Sequence, residues 1–254
     1  AEANVPLDRL SGSRRRKGGT VVKMAKKLLA ACGVDAVLLG ILICTALGGR
    51  ESGKDREADI GGDAVRGESE EKTVALTFDD GPHPVYTKEL LEGLRKRGVK
   101  VTFFLMGANA QENQELVQEM ADDGHLIGNH GYRHEDMTKN QLESMCESIE
   151  KTSRLIQEIT GNEPEYVRPP YGSWNEDLEE AIDLTPVFWS VDSLDWKYED
   201  TDQIKRRVLE KVKNGDIILM HDIFSTSVDA ALEIVDTLLD RGYTFVTADE
   251  LIVD

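Results

Sequence analysis

Cysteine is scarce, with three in 254 residues. Cys32 and Cys44 fall in an apolar N-terminal stretch and only Cys146 lies beyond it, so no disulfide can form within the larger part of the chain. A small disulfide scaffold is therefore excluded. Positive charge is the second shortage: 30 Lys and Arg stand against 48 Asp and Glu, net −18. The deficit is uneven, since residues 1–50 hold 9 basic and 3 acidic side chains, net +6, and the remainder 21 and 45, net −24. A part that acidic repels phosphate backbones, because nucleic-acid affinity comes mainly from Lys and Arg, so DNA and RNA are set aside as partners. The same charge counts against strong electrostatic capture of a polyanion. No internal repeat is evident, which removes solenoids and propellers. What is present is a hydrophobic content of 40%, ample for a packed core over this length and incompatible with disorder throughout.

Arg14, Arg15, Arg16, Lys17, Lys23, Lys26 and Lys27 precede a run from Leu28 to Leu47 whose only charge is Asp35. A run of about twenty residues can cross a bilayer. Asp35 costs about 2.5–3.5 kcal/mol at mid-membrane, and the Leu, Ile and Val of the run, at roughly −0.3 to −0.6 kcal/mol each, offset it. The basic cluster is expected to stay in the cytoplasm and send the C-terminal part outside. The alternative is a cleaved signal peptide near Ala46-Leu47-Gly48. Ile43 before Cys44 is too bulky for a lipid-attachment site. The expected organisation is a basic cytoplasmic segment at 1–27, a transmembrane signal anchor or signal peptide at 28–48, a charged Gly-rich linker at 49–72, and one domain at 73–254.

From Thr73 short apolar runs alternate with helix-period segments. Strands are expected at Thr73–Phe78, Val99–Met106, Leu126–Asn129, Tyr166–Arg168, Pro186–Val191, Asp216–Met220 and Tyr243–Val246. Helices are expected at Tyr86–Arg97, Asn113–Asp122, Thr138–Thr160, Asn175–Asp183, Gln203–Asn214 and Val228–Arg241. The clearest is Thr138–Thr160, where Leu142, Met145, Ile149, Ile156 and Ile159 recur at helical spacing, Thr138 and Gln141 match a capping box, and Gly161 follows. Cys146 shares that face and reads as packing. The βα alternation predicts an α/β fold with about seven parallel strands, a number that suits a closed or nearly closed (β/α) barrel better than a small open sheet.

Polar residues gather where those strands end. Asp79 and Asp80 follow the first, His130 the third, Arg168 the fourth, Asp192 and Asp195 the fifth and His221 the sixth. In βα barrels these loops form one rim where catalytic groups collect, and ordinary surface charge has no reason to cluster there. Adjacent Asp79 and Asp80 repel, which invites a cation, although an Asp before Gly81-Pro82 also serves as a simple turn cap. His130 and His134 are four apart, so on a helical turn both rings share a face, about 5–6 Å apart at Cβ. With Asp80 they make two His and one carboxylate, the ligand count of a catalytic rather than a structural zinc site. His83 and His125 read as structural. Arg168-Pro169-Pro170-Tyr171-Gly172 is stiff, and presents a guanidinium that could hold a carboxylate and the backbone N–H of Tyr171 that could stabilise an oxyanion; a proline-rich loop with a surface Arg is the plain alternative. His221 on one rim loop and an Asp of Asp192-Ser193-Leu194-Asp195 on the next are placed to pair, and a carboxylate raises an imidazole's hold on its proton, which suits a general acid. Trp196 could stack on a sugar and Leu219 could line a small apolar pocket, or both could be core.

Thr77-Phe78-Asp79-Asp80-Gly81-Pro82, His130-Gly131-Tyr132-Arg133-His134, Arg168-Pro169-Pro170-Tyr171-Gly172, Asp192-Ser193-Leu194-Asp195-Trp196 and Leu219-Met220-His221 occur in the order and spacing of the polysaccharide deacetylases, carbohydrate esterase family four. The resemblance covers about residues 73–250. It implies a distorted barrel and one divalent metal ion, usually zinc, with cobalt or another transition metal as alternatives, bound by Asp80, His130 and His134. By the same matching Asp79 is the base, Arg168 orients it, Tyr171 lends its N–H, Asp195 tunes His221 as the acid, and Trp196 and Leu219 shape groove and acetyl pocket. Gly131 departs from the family's usual Ser or Thr, which puts hydroxyl support of that loop in doubt. The expected partner is an N-acetylated polysaccharide, with N-acetylglucosamine of peptidoglycan ahead of chitooligosaccharide, another exopolysaccharide or O-acetylated xylan, and with the membrane engaged through the N-terminal helix. A phosphohydrolase would want its two Asp residues separated by one position, magnesium and a later Lys, which adjacent carboxylates and paired histidines do not match. An inactive carbohydrate-binding relative would lack some of these residues.

Overall fold

A computed structural model of the chain describes residues 71–252. The organising element is β1 (Lys72–Asp79), whose residues from Val74 onward are all buried, as expected for a strand covered on both faces of a parallel sheet. Side chains alternate along it. Val74, Leu76 and Phe78 pack against the surrounding helices, among them α1 (Tyr86–Arg97) with Leu90, Leu91 and Leu94 buried. Ala75, Thr77 and Asp79 take the other face, toward Phe104, Val187 and Arg168.

Neighbouring strands are β2 (Thr102–Leu105), β3 (Leu126–Asn129), β4 (Tyr166–Val167), β5 (Thr185–Pro186), β6 (Val191–Asp192), β7 (Asp216–His221) and β8 (Tyr243–Val246). Every pairing is parallel, in the order β5-β4-β3-β2-β1-β7-β6, with β8 beside the first half of β1. The register sets Asp79 opposite Phe104 on one side and His221 on the other. Parallel strands in register bring their C-terminal ends to one rim, so the residues just past β1, β3, β4 and β7 meet there.

The expected strand Pro186–Val191 is broken. Its first piece pairs with β4 and its last with β7, so the sheet is a half-barrel and not a closed ring. Val187 N–H donates to Val167 and Ser190 N–H to Ile217, while the Val187 and Phe188 carbonyls accept from the guanidinium of Arg168 at 3.1 and 3.3 Å. A side chain takes the ladder's place at the gap.

The start of the longest expected helix also shifts. The long helix, α4, runs Leu142–Thr160 and not from Thr138, because Asp136 Oδ1 accepts both the backbone N–H and the hydroxyl of Thr138 and makes a turn of those residues. The capping box does not form there, whereas Gly161 does end the helix at φ 77°. Its buried face is Met145, Ile149, Thr152 and Ile156, and Cys146 packs beside Met145 and Ile149. Further helices are α2 (Gly107–Glu112), α3 (Gln114–Asp122), α5 (Glu176–Ala181), α6 (Asp195–Tyr198), α7 (Thr201–Leu209) and α8 (Ser225–Asp240); α2 and α6 had no counterpart in the sequence pattern. The segment 28–48 expected to span a membrane lies outside the described residues, among which no helix is long and apolar enough to cross one.

Candidate metal and catalytic site

Asp80 sits one residue past β1 with φ 72°, a left-handed conformation that turns its carboxylate over the rim. Asp80 Oδ1 lies 3.4 Å from His130 Nε2 and 3.7 Å from His134 Nε2, and one ligand atom from each of the three falls within 4.8 Å of the others. These separations exceed good hydrogen bonds. The two Asp80 separations are close to those a shared cation sets, since bonds of about 2.0–2.2 Å at tetrahedral angles hold ligand atoms roughly 3.3–3.6 Å apart. Asp80 Oδ1 and His130 Nε2 are also buried without a hydrogen-bond partner, which fits a donor set built for a metal. His130 Nδ1 donates to the Arg168 carbonyl at 2.6 Å; a carbonyl only accepts, so the proton is on Nδ1 and the Nε2 lone pair faces Asp80. Burial opposes the charged form of Asp80, but the neighbouring histidines, His130 first, outweigh it and hold its pKa below the ordinary carboxylate value.

The two histidines do not converge from a helical turn as their spacing suggested. Residues 130–134 form a bend in which Gly131 takes φ 76°, a conformation that suits glycine better than the family's usual Ser or Thr. The loop is held without a hydroxyl at that position: Asn129 Oδ1 accepts the Gly131 N–H at 2.7 Å, and Ser148 Oγ accepts that of Tyr132 at 2.8 Å.

Arg168 is fully buried, which removes the surface-loop alternative. It donates to Asp79 Oδ1 at 2.9 Å and to the Thr77 hydroxyl at 2.5 Å, and stacks over Phe104 at 4.2 Å. Asp79 keeps Oδ2 turned toward His130 Nε2, 3.9 Å away. Asp195 is buried at the start of α6 and holds His221 twice, accepting the backbone N–H at 2.7 Å and Nδ1 at 2.8 Å, which leaves Nε2 as the free ring nitrogen. Burial alone would lower the His221 pKa, but the Asp195 hydrogen bond and the charges of Asp195, Asp79 and Asp80 prevail and raise it to about 9.

Asp79, Asp80, His130, His134, Tyr171, Trp196, Leu219 and His221 line one pocket of about 420 Å³. Trp196, 53% exposed, and Tyr171, 67% exposed, stand at its mouth and are not core, whereas Leu219 is buried in its wall. Tyr171 takes φ 59°, and its ring meets that of His134 edge-on at 4.3 Å between centroids. Trp189 also lines the pocket and escaped the sequence reading. Its parity could have revealed it, because it alternates in step with the buried Val187 and Val191. His83 and His125 stay structural: His83 Nδ1 accepts the N–H groups opening α1, and His125 Nδ1 accepts that of Val101, with burial lowering the His125 pKa to about 4.

A profile of the polysaccharide deacetylase family matches residues 66–187. The peptidoglycan-N-acetylmuramic acid deacetylase PdaC of Bacillus subtilis is 39% identical over 71% of this chain and 39% of its own length, so the chain spans about two fifths of that relative. The solved PdaC structure superposes with a TM-score of 0.70 at 38% identity, covering 72% of this chain and 90% of the other. A peptidoglycan-N-acetylglucosamine deacetylase of Bacillus cereus is 38% identical over 72% of this chain and 70% of its own length. The Bacillus anthracis protein BA3943, described as a CE4 family pseudoenzyme, superposes with a TM-score of 0.67 at 31% identity, covering 72% of this chain and 66% of the other. With a relative this similar matched over most of its length, on the fold and rim just described, the chain belongs to the polysaccharide deacetylase family.

Proposed function

We infer that this chain is a metal-dependent polysaccharide N-deacetylase, hydrolysing the acetamide of N-acetylhexosamine units to acetate and a free amine. Kinship alone does not carry this, since a pseudoenzyme shares the fold. The supporting observation is one pocket that combines the converging Asp80, His130 and His134 donor set, an Asp79 held on one oxygen by Arg168, and a His221 tied to Asp195. Asp80, His130 and His134 would hold the metal, for which zinc is the choice because two imidazoles and one carboxylate with open positions suit it. A bound divalent cation supplies Lewis acidity and can lower the pKa of water from about 15.7 toward 7.

The remaining work belongs to the chain's side chains. Asp79 Oδ2 accepts the proton from the attacking water while Arg168 keeps Oδ1 engaged and the carboxylate aimed. Tyr171 lends its backbone N–H to the developing oxyanion. An amine leaves poorly unless protonated, and His221 Nε2 supplies that proton as the C–N bond breaks. Leu219 bounds the acetyl methyl and Trp196 offers an aromatic face to a sugar ring.

Among N-acetylated polymers we propose peptidoglycan, at its N-acetylglucosamine residues, with the basic N-terminus and the apolar run 28–48 holding the domain outside the cell. The support is the run itself and the names of the relatives. Mass spectrometry of wall fragments treated with the protein tests reaction and substrate together: loss of one acetyl mass from glucosamine is expected. Loss from muramic acid alone would move the substrate, and no loss from any N-acetylated polymer with metal bound would end the reading. Retention of the intact full-length chain in the soluble fraction without detergent would refute the anchor.

A further inference from the structure

Asp80 owes its place at the rim to a φ of 72°, a region that L residues rarely adopt and that persists only where the surroundings enforce it. From the β2 side, Asn109 Nδ2 donates to the Asp80 carbonyl at 2.7 Å and the Met106 N–H to that of Gly81 at 3.2 Å. The opposite side is braced by a pair with no part in the chemistry above, Thr87 on α1 and Asp222 just past β7, both fully buried. The Thr87 hydroxyl accepts the His83 N–H at 2.7 Å and donates its own proton to Asp222 Oδ2. The Asp222 carboxylate lies against Gly81, where a Cβ would overlap it, and its other oxygen is buried without a partner. A carboxyl buried on one hydroxyl is an expensive way to fill space, and an apolar side chain would do so more cheaply. What the pair supplies instead is a clamp on the turn after Asp80, with Asp222 against Gly81 and Thr87 holding the His83 N–H.

We propose that Thr87 and Asp222 are positioning residues that hold the turn after β1 so that Asp80 keeps its left-handed conformation and faces His130 and His134. The inference rests on the metal site assigned above. When the clamp is removed, Asp80 relaxes and its carboxylate turns away from the two imidazoles. Loss of such outer support typically weakens metal binding by about 10–100-fold.

The test is zinc affinity of the full chain, purified in detergent, by competition with a chromophoric chelator, alongside the melting temperature of the metal-free protein. Thr87→Val keeps the shape and removes the hydroxyl; it is expected to weaken zinc binding by about 10–100-fold with little change in metal-free melting, whereas Thr87→Ser stays within about threefold of the parent. Asp222→Ala should weaken binding similarly, and adding it to Gly81→Ala should recover part of the affinity that Gly81→Ala loses, because the overlap is relieved. Thr87→Val binding zinc like the parent would overturn the proposal. So would a loss of affinity that merely follows melting temperature and that Thr87→Ser fails to avert. A parent that binds zinc with this pattern of variants yet releases no acetate would overturn the deacetylase reading and leave the clamp standing; a parent that binds no zinc would overturn both.

Discussion

Replacing Asp195 with Asn should move the alkaline limb of the pH profile by units. In the parent, His221 is only 13% exposed, which lowers its pKa, yet the Asp195 bond at 2.8 Å and the surrounding carboxylates lift the value from 6.5 to about 9. Asp79 and Asp80 provide part of that rise, and a dication held at Asp80 offsets their share, so the limb of the loaded enzyme falls somewhat below 9. The amide that Asp195→Asn introduces has one acceptor oxygen, which can keep the Nδ1 hydrogen bond while the His221 backbone N–H loses its partner, and it carries no charge, so burial then dominates and the pKa drops to about 6.5 or lower. The acid works protonated, so activity falls as pH rises through this pKa. At pH 8 an imidazole of pKa 9 is about 90% protonated and one of 6.5 about 3%, a loss of roughly 30-fold that shrinks as pH falls toward 6. The assay is kcat/KM for acetate release from an N-acetylated oligosaccharide between pH 5 and 10, with zinc content measured at each end. An alkaline limb that stays put in Asp195→Asn, or a loss of equal size at every pH, would refute the assignment of His221 as the acid tuned by Asp195.

Other variants separate the roles of the remaining residues. His130→Ala should lose the metal itself, while Asp79→Asn and His221→Ala keep it and lose about 10²–10⁴ in kcat each; metal analysis of the three proteins decides, and full zinc content in His130→Ala would sink the ligand assignment. Arg168→Met should leave Asp79, 3% exposed, buried without its partner and cost about 3–5 kcal/mol, read as a fall in melting temperature on the order of 10 °C; unchanged melting would mean that Asp79 finds another donor. Trp196→Ala should fold normally, since the ring is half exposed, and raise KM by about 2–10-fold with kcat little changed; a large fall in kcat instead would make Trp196 part of the chemistry.

The rim was legible because two kinds of signal coincide in the sequence. A strand buried on both faces reads as an apolar run, and the polar residue that interrupts the run marks its C-terminal end, so Asp79, Asp80, His130, Arg168 and His221 announce their common edge. Parallel pairing does the rest: once Thr77 lies beside Thr102 and Leu219, Asp79 and His221 must be neighbours. What escaped depends on contacts with no periodicity. The gap between β5 and β6 exists because Arg168 reaches the Val187 and Phe188 carbonyls, and nothing in Pro186–Val191 records the presence of a guanidinium some twenty residues earlier. The helix start at Leu142 was set by Asp136 capturing Thr138, a local competitor that a capping-box pattern does not weigh.

Thr87 and Asp222 show the same limit at the site itself. Thr87 sits on the buried face of α1 at a spacing that also suits packing, and Asp222 reads as one more acidic residue in a chain with 48. Their meeting follows only from the register that brings the end of β7 beside the turn after β1. Ligands are spelled by residue type and spacing, because a metal demands particular atoms. The residues that aim those ligands need only reach the right backbone, and many side chains could do so in principle. The φ of Asp80 is where the two levels join: the sequence names the carboxylate, and only the packing around Gly81 explains why it points at two imidazoles.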